Sequence, residues 1–130
     1  MPIDSLVLAL IGHLVGDYLL QNDWMALNKK KQHLPCLVHC FIWALCVCGF
    51  AGFGWIAFLS LFAMHFAQDR TQIIAWWMKW NGQEQFMKPP CGPWSMIVVD
   101  NVWHVLQILI VWRFLAAPIG VGTFWIGVRF

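Results

Sequence analysis

The sequence predicts an all-α integral membrane protein: a four-helix bundle with short loops and an interfacial amphipathic segment, forming one transmembrane domain over residues 1–130. Three observations predict it. Of 130 residues, 61% are hydrophobic and only 11% charged, whereas soluble domains carry about a quarter charged residues. Mean hydropathy is +0.66, so polar groups are too scarce to cover a water-facing surface. The apolar residues also fall into long segments separated by polar or proline-rich breaks.

A helix that crosses the hydrocarbon core needs about 20 mostly apolar residues. The first such segment, 3–21, ends at the polar "QND" and the run Lys29–Lys31. It lacks a basic leader and is long enough to span, so no cleavable signal is expected. From Cys36 to Phe66 there is no charged residue. A single helix over that stretch would reach about 47 Å, too long for a core of about 30 Å. The glycines of "GFAGFG" (Gly49–Gly54) supply a break, which predicts helices over 34–48 and 55–80. The second runs past Asp69 into "RTQIIAWWMKW", an amphipathic end suited to lie along the interface. Pro89, Pro90 and Pro93 make "NGQEQFMKPPCGP" a loop. The last span is 94–117, stopped by Pro118. Were the glycine-rich break only a kink, there would be three spans and the termini would lie on opposite sides.

With four spans, Lys29, Lys30, Lys31, Lys79 and Lys88 share one side, and Arg113 and Arg129 the other. The positive-inside rule makes the lysine side cytoplasmic. Both termini are thus expected on the outer side of the membrane. Trp24, Trp76, Trp77, Trp80 and Trp94 fall at the cytoplasmic boundary, and Trp55, Trp112 and Trp125 at the other, as in aromatic belts. A net charge of +2 with no basic patch argues against nucleic acid as a partner. Cys36, Cys40, Cys46, Cys48 and Cys91 contain no C-x2-C pair, so they read as packing residues rather than a disulfide framework or thiolate zinc site. A soft-ligand role for Cys36 and Cys40, which flank His39, is the lesser alternative.

Ionisable residues inside spans are costly and mark function by default. His13 and Asp17 lie four apart in the first helix, and His65 and Asp69 four apart in the third. In the fourth helix, which runs oppositely, the order reverses to Asp100 and His104. All three helices therefore place histidine at one level and aspartate about 6 Å below it, one turn away. His39 in the second helix falls near the aspartate level. A single His–Asp pair is ordinarily a hydrogen bond between neighbours on one helix. Three pairs in register, joined by His39, point instead to a metal site built inside a bundle.

The candidate ligands are His13, Asp17, His39, His65, Asp69, Asp100 and His104. Imidazole with carboxylate suits a divalent metal, zinc first, with manganese or iron as alternatives. Seven ligands exceed one tetrahedral zinc, so either two ions bind or some aspartates orient the histidines. Asp17, Asp69 and Asp100 are the catalytic candidates, since a carboxylate outside the ligand set can act as general base. Gln21, Gln68, Gln72 and Gln107 read as interhelical hydrogen-bonding groups. Arg70 reads as a snorkelling or substrate-phosphate contact, and Asn28–Lys31 as a topology anchor.

The motifs "GHLVGDYLLQNDWMALNKK", "HFAQD" and "DNVWH" resemble a family of small bacterial and phage membrane proteins grouped as a domain of unknown function. Its signature is H-x3-D-[FY]-x2-Q, followed by a lone His, an H-x3-D and a D-x3-H, and the resemblance covers nearly the whole chain. The resemblance implies a bacterial inner membrane as the location, and hence periplasmic termini. The chain is also distantly similar to membrane-bound metal-dependent hydrolases, which implies a metal site without naming a reaction.

These readings converge on a divalent-metal-dependent hydrolase near the cytoplasmic leaflet, acting on a membrane lipid or lipid-linked phosphate. The alternatives are transport of metal or protons, haem binding, and a structural or interaction role such as that of a phage-encoded protein. Haem leaves the aspartates unexplained. A relay across the membrane lacks polar residues in the outward halves of the helices. A bundle of this size can also form a homodimer through its outer faces.

Overall fold

A computed structural model describes residues 4–116. Helix α1, Ser5–Leu14, begins where the Asp4 side chain accepts a hydrogen bond from Leu6 N at 2.8 Å. Without interruption it widens into a π-helical turn, Val15–Leu19, closed by Leu20 N donating to Val15 O at 3.0 Å. Asn22 then caps a short helix, α2 (Asp23–Asn28), by accepting from Met25 N at 3.0 Å. Helix α3, His33–Ala51, stops at Gly52, whose φ of 69° is the left-handed cap conformation that suits glycine. Helices α4 (Trp55–Arg70), α5 (Ile73–Trp80) and α6 (Trp94–Phe114) complete an all-helical chain among the described residues.

Three boundaries differ from expectation. The break between the second and third apolar segments is confined to Gly52–Gly54, because Gly49 stays helical with nothing within 4 Å of its Cβ position. The segment expected as one helix over 55–80 is two. Thr71 turns to extended backbone, and its hydroxyl donates to Ala67 O at 2.7 Å, competing with the next helical turn. Helix α6 ends at Phe114 rather than 117, while Ile3, Pro118, Trp125 and Arg129 lie outside the described residues.

Two helices, α3 and α6, are long and apolar enough to cross a membrane, with mean hydropathy 2.1 and 1.5. The 16 residues of α4 make only about 24 Å. Outward-facing Leu45, Leu59, Val102 and Ile110 are about half-exposed or more.

Two kinds of packing organise the interior. At the end holding the α1 N-terminus, Ala9, Ala44, Val47, Ala57, Leu61, Ile108 and Val111 form an apolar core. Below it the buried side chains turn polar: His13, Asp17, His39, His65, Gln68, Asp69, His104 and Gln107. Helix α1 is drawn onto α3 by Gly12 and Gly16. A Cβ on Gly12 would meet Cys46 O at 2.6 Å, and one on Gly16 would meet Trp43 Cα at 2.9 Å. Small residues four apart permit such close backbone approach. The α5 helix buries Ile74 and Met78 and docks on α6 through an edge-to-face contact of Trp77 with Trp103, 5.3 Å between centroids.

Candidate metal centre

Each polar side chain reaches the interior for a local reason. On α4, His65, Gln68 and Asp69 share the i, i+3, i+4 face and are all buried. On α6, His104 and Gln107 are buried, while the Asp100 side chain is 26% exposed. Asp17 lies within the π-turn and Gly16 beside it presses on Trp43. Single π-turns recur at functional sites because they re-aim side chains that an α-helix would place elsewhere.

The four imidazoles form a chain across the bundle. Ring centroids are 5.6 Å apart for His13–His104, 4.2 Å for His104–His65 and 5.0 Å for His65–His39. Asp17 lies under all of them, its carboxylate oxygens 3.2 Å from His13 Nδ1, 3.3 Å from His39 Nε2, 3.5 Å from His104 Nδ1 and 3.8 Å from His65 Nε2. Asp69 approaches His39 Nε2 at 3.1 Å, His65 Nε2 at 3.4 Å and His104 Nε2 at 3.8 Å. Asp100 stands aside. Its carboxylate is 3.8 Å from His104 and accepts from Gln68 Nε2 at 2.9 Å.

Within this cluster His39 Nε2, His65 Nε2, Asp17 Oδ1 and Asp69 Oδ2 are separated by 3.0, 3.1, 3.3, 3.4 and 3.8 Å along five of their six edges. Metal–ligand bonds of about 2.0–2.2 Å in a tetrahedron give edges of about 3.3–3.6 Å. Several groups of three buried ligand atoms lie within 4.8 Å of one another, including His13–Asp17–His104 and Asp17–His39–His65. Asp69, Asp100 and His104 form another, with Asp100 half-buried. Buried histidine and aspartate groups here can hold a metal ion.

The family model described as a protein of unknown function, DUF3307, matches residues 5–125. The chain belongs to the DUF3307 family. Neither the curated proteins nor the solved structures yield a match.

Four atoms of the DUF3307 cluster are buried without a hydrogen-bond partner: Asp17 Oδ1, His65 Nδ1, His104 Nδ1 and His104 Nε2. Buried polar atoms are almost always paired, so Asp17 Oδ1 and one nitrogen of His104 are open to a cation, whereas the two nitrogens of one imidazole cannot both ligate the same ion. The His13 contacts agree. Trp43 Nε1 donates to His13 Nδ1 at 2.9 Å, which leaves Nε2 to donate to Asn101 Oδ1 at 3.1 Å. His13 Nδ1 then faces Asp17 Oδ2 at 3.2 Å with both atoms acting as acceptors, an arrangement that a nearby positive charge stabilises.

Spacing alone did not disclose three residues of this site. Lys29, read as part of a topology anchor, inserts its ammonium 2.6 Å from Asp69 Oδ2 and 3.4 Å from His39 Nε2. Burial works against that charge, but the Asp69 carboxylate outweighs it and raises the Lys29 pKa above 10.5. A raised lysine pKa means that this stabilisation is fully present below the unfolded value and lost only as pH rises through the folded one. Lys29 therefore stays charged across neutral pH. Lys30 reinforces the same docking by donating to Asp69 O and Thr71 O, both at 3.3 Å. Arg70 is tied to this loop, donating to Lys30 O at 2.8 Å.

Trp43 is the second such residue. Fully buried, it bonds His13 and stacks on His65 with centroids 4.0 Å apart. The third is Cys40, whose thiol joins His65 and Asp69 in another group that can hold a metal. Of the glutamines, Gln68 links the helices: it donates to Asp100 and accepts from Gln107 Nε2 at 2.7 Å.

Proposed function

We propose that the chain is a membrane-embedded, divalent-metal-dependent hydrolase that acts near the cytoplasmic leaflet on a lipid or lipid-linked phosphate. The observation that carries this reading is the convergence of buried His39 Nε2 and His65 Nε2 with Asp17 Oδ1 on one side and Asp69 Oδ2 on the other, each carboxylate oxygen 3.1–3.8 Å from both nitrogens. Two imidazoles and two carboxylates suit zinc, with manganese or iron as alternatives. Three of these four groups would hold a divalent ion with a position left open, and the ion would supply Lewis-acid chemistry to a water and a phosphoryl or acyl oxygen there. His104 and His13 belong to the same cluster, and Asp100 would serve as the general base. It is the most exposed of the three central aspartates, and Gln68 fixes its orientation.

The apolar core favours hydrolysis over transport. Ala9, Ala44, Val47, Leu61, Ile108 and Val111 fill the bundle on one side of the polar cluster, and a proton or ion path needs polar groups there. In this reading α1 with its π-turn, α3, α4 and α6 sit in a bacterial inner membrane, with the lysine-rich loops cytoplasmic and the termini periplasmic. The non-enzymatic reading, polar packing without chemistry, draws on one observation: Lys29 already supplies a buried counter-charge to Asp69.

Metal analysis separates the two. Protein purified without nickel affinity is expected to carry zinc, manganese or iron near one ion per chain by mass spectrometry. His39→Ala combined with Asp69→Ala is expected to lose it, since removing two of the four candidate ligands leaves too few to hold an ion. A folded wild type without metal, even after incubation with zinc, would leave the cluster as packing and end the enzyme reading.

A further inference from the structure

Lys29, Lys30 and Arg70 meet at one corner of the bundle, although 40 positions separate Lys30 from Arg70. The α2–α3 loop folds there onto the C-terminal end of α4, fixed by the 2.8 Å bond from Arg70 Nη1 to Lys30 O. Lys29 has its counter-charge in Asp69. Lys30 and Arg70 have none: among the described residues no carboxylate lies within 4.0 Å of either. Neutral acceptors hold them instead. Lys30 Nζ donates to Asp69 O and Thr71 O, and Arg70 Nε donates to His33 Nδ1, each at 3.3 Å. An ammonium has three donor hydrogens and a guanidinium five. Two on each are engaged, which leaves one on Lys30 and three on Arg70 without a protein acceptor among the described residues. The C-terminal end of α4 offsets only about half an elementary charge, against two on this pair. Exposed Lys31 adds to the excess.

We propose that this corner binds the phosphate group of an anionic phospholipid, with Arg70 and Lys30 as its donors. This deepens, and rests on, the reading of the chain as a hydrolase of lipid phosphates. Asp69 joins the two places, because its carbonyl receives Lys30 while its carboxylate faces His39 and His65. Charge selects an anion from outside the chain. Asp17, Asp69 and Asp100 carry three negative charges, which Lys29 and one divalent ion balance, so no carboxylate of the centre is left for Lys30 and Arg70. Donor geometry selects phosphate: a guanidinium fork matches two of its oxygens, and an ammonium serves a third as a point charge. The adjoining helices select a lipid over a soluble phosphate. Helix α2 leads into Lys29 and exposes Trp24 and Leu27, and α5 begins just beyond Thr71 and exposes Ile73 and Trp76. Tryptophans settle at the level of lipid headgroups, where the phosphates lie.

The test uses the full chain in phosphatidylcholine nanodiscs, with and without a minor share of phosphatidic acid of the same acyl chains. Phenylglyoxal modifies accessible guanidinium groups, and peptide mass spectrometry reads its rate at Arg70 and at exposed Arg113, in the last turn of α6. Phosphatidic acid is expected to slow modification of Arg70 about tenfold, because a bound phosphate occupies the fork, and to leave Arg113 unchanged. Native mass spectrometry should show phosphatidic acid retained on the chain in preference to phosphatidylcholine. Lys30→Gln with Arg70→Gln should weaken that retention about 25-fold, each basic residue beside an anionic headgroup contributing about fivefold. Lys79→Gln with Lys88→Gln removes the same charge from exposed positions elsewhere and should not weaken it. Equal loss in the two double variants would reduce the effect to general surface charge and overturn the proposal. Equal protection of Arg70 and Arg113, read on the wild type and so independent of how the variants fold, would overturn it too. Protection of Arg70 by inorganic phosphate as strong as by phosphatidic acid would assign the corner to a soluble ligand and overturn the lipid. Metal content of the same samples keeps the two readings apart. Selective protection without bound metal supports the phosphate site and removes the hydrolase, whereas bound metal without protection removes only the phosphate site.

Discussion

Gly12→Val is expected to cost several kcal/mol and to leave little folded protein, and Gly12→Ala about 1–2 kcal/mol. The atoms a Cβ would strike are main chain: Cys46 O at 2.6 Å, Cys46 C at 2.9 Å and Val47 Cα at 2.9 Å. No rotamer change can relieve those contacts, so α1 must move away from α3 as a body. Gly→Ala within a helix gains up to about 1 kcal/mol in propensity, and overpacking costs about 1–3 kcal/mol. The clash therefore wins for alanine and dominates for valine. Against a total stability of about 5–15 kcal/mol, the valine variant is near the threshold. Gly16→Ala should act on the site as well as on stability, because its Cβ would meet Trp43 Cα at 2.9 Å and Cδ1 at 3.0 Å, and Trp43 holds His13. Gly49→Ala is the control: with open space around it, it should be neutral or stabilising. Thermal unfolding in detergent, followed by circular dichroism, ranks the four variants. Equal midpoints for Gly12→Val and Gly49→Ala would refute the close packing of α1 on α3.

Lys29→Met is expected to destabilise the ion-free protein by about 3 kcal/mol while increasing the stabilisation gained from added zinc. The lysine head is 16% exposed and the Asp69 carboxylate 1%. Removing one partner of a buried pair leaves the other uncompensated, at a cost of about 3–5 kcal/mol. Asp69 Oδ2 is also one of the candidate ligand atoms beside His39 and His65, so a metal ion and the ammonium would compete for it. Without the ammonium, the ion recovers the whole of that lost stabilisation, which appears as a larger metal-dependent rise in melting temperature. Asp69→Asn should do the reverse, stranding Lys29 and abolishing the response to zinc. Melting temperatures with and without zinc check both variants. A smaller zinc response in Lys29→Met than in wild type would mean that Lys29 helps to hold the centre rather than competing for it.

The helices and the polar stripes along them were legible because both are local. A repeat of four residues places His65 above Asp69, and Asp100 below His104, on any α-helix, whatever packs against it. Apolar composition and the absence of charge between Cys36 and Phe66 likewise needed no partner helix to be read. What no spacing could announce came from contacts between distant segments. Lys29 reads as an interfacial cation until α2 folds back and buries it against Asp69, 40 residues away. Trp43 reads as core until its indole bonds His13 and stacks on His65. The π-turn at Asp17 and the half-buried position of Asp100 likewise show only in the folded chain. The sequence by itself thus determined which residues share a helix face and that the chain is apolar enough for a bilayer. Only the tertiary structure decided which of those faces meet, because a side chain's partner is chosen by the packing of whole helices and not by the turn that carries it.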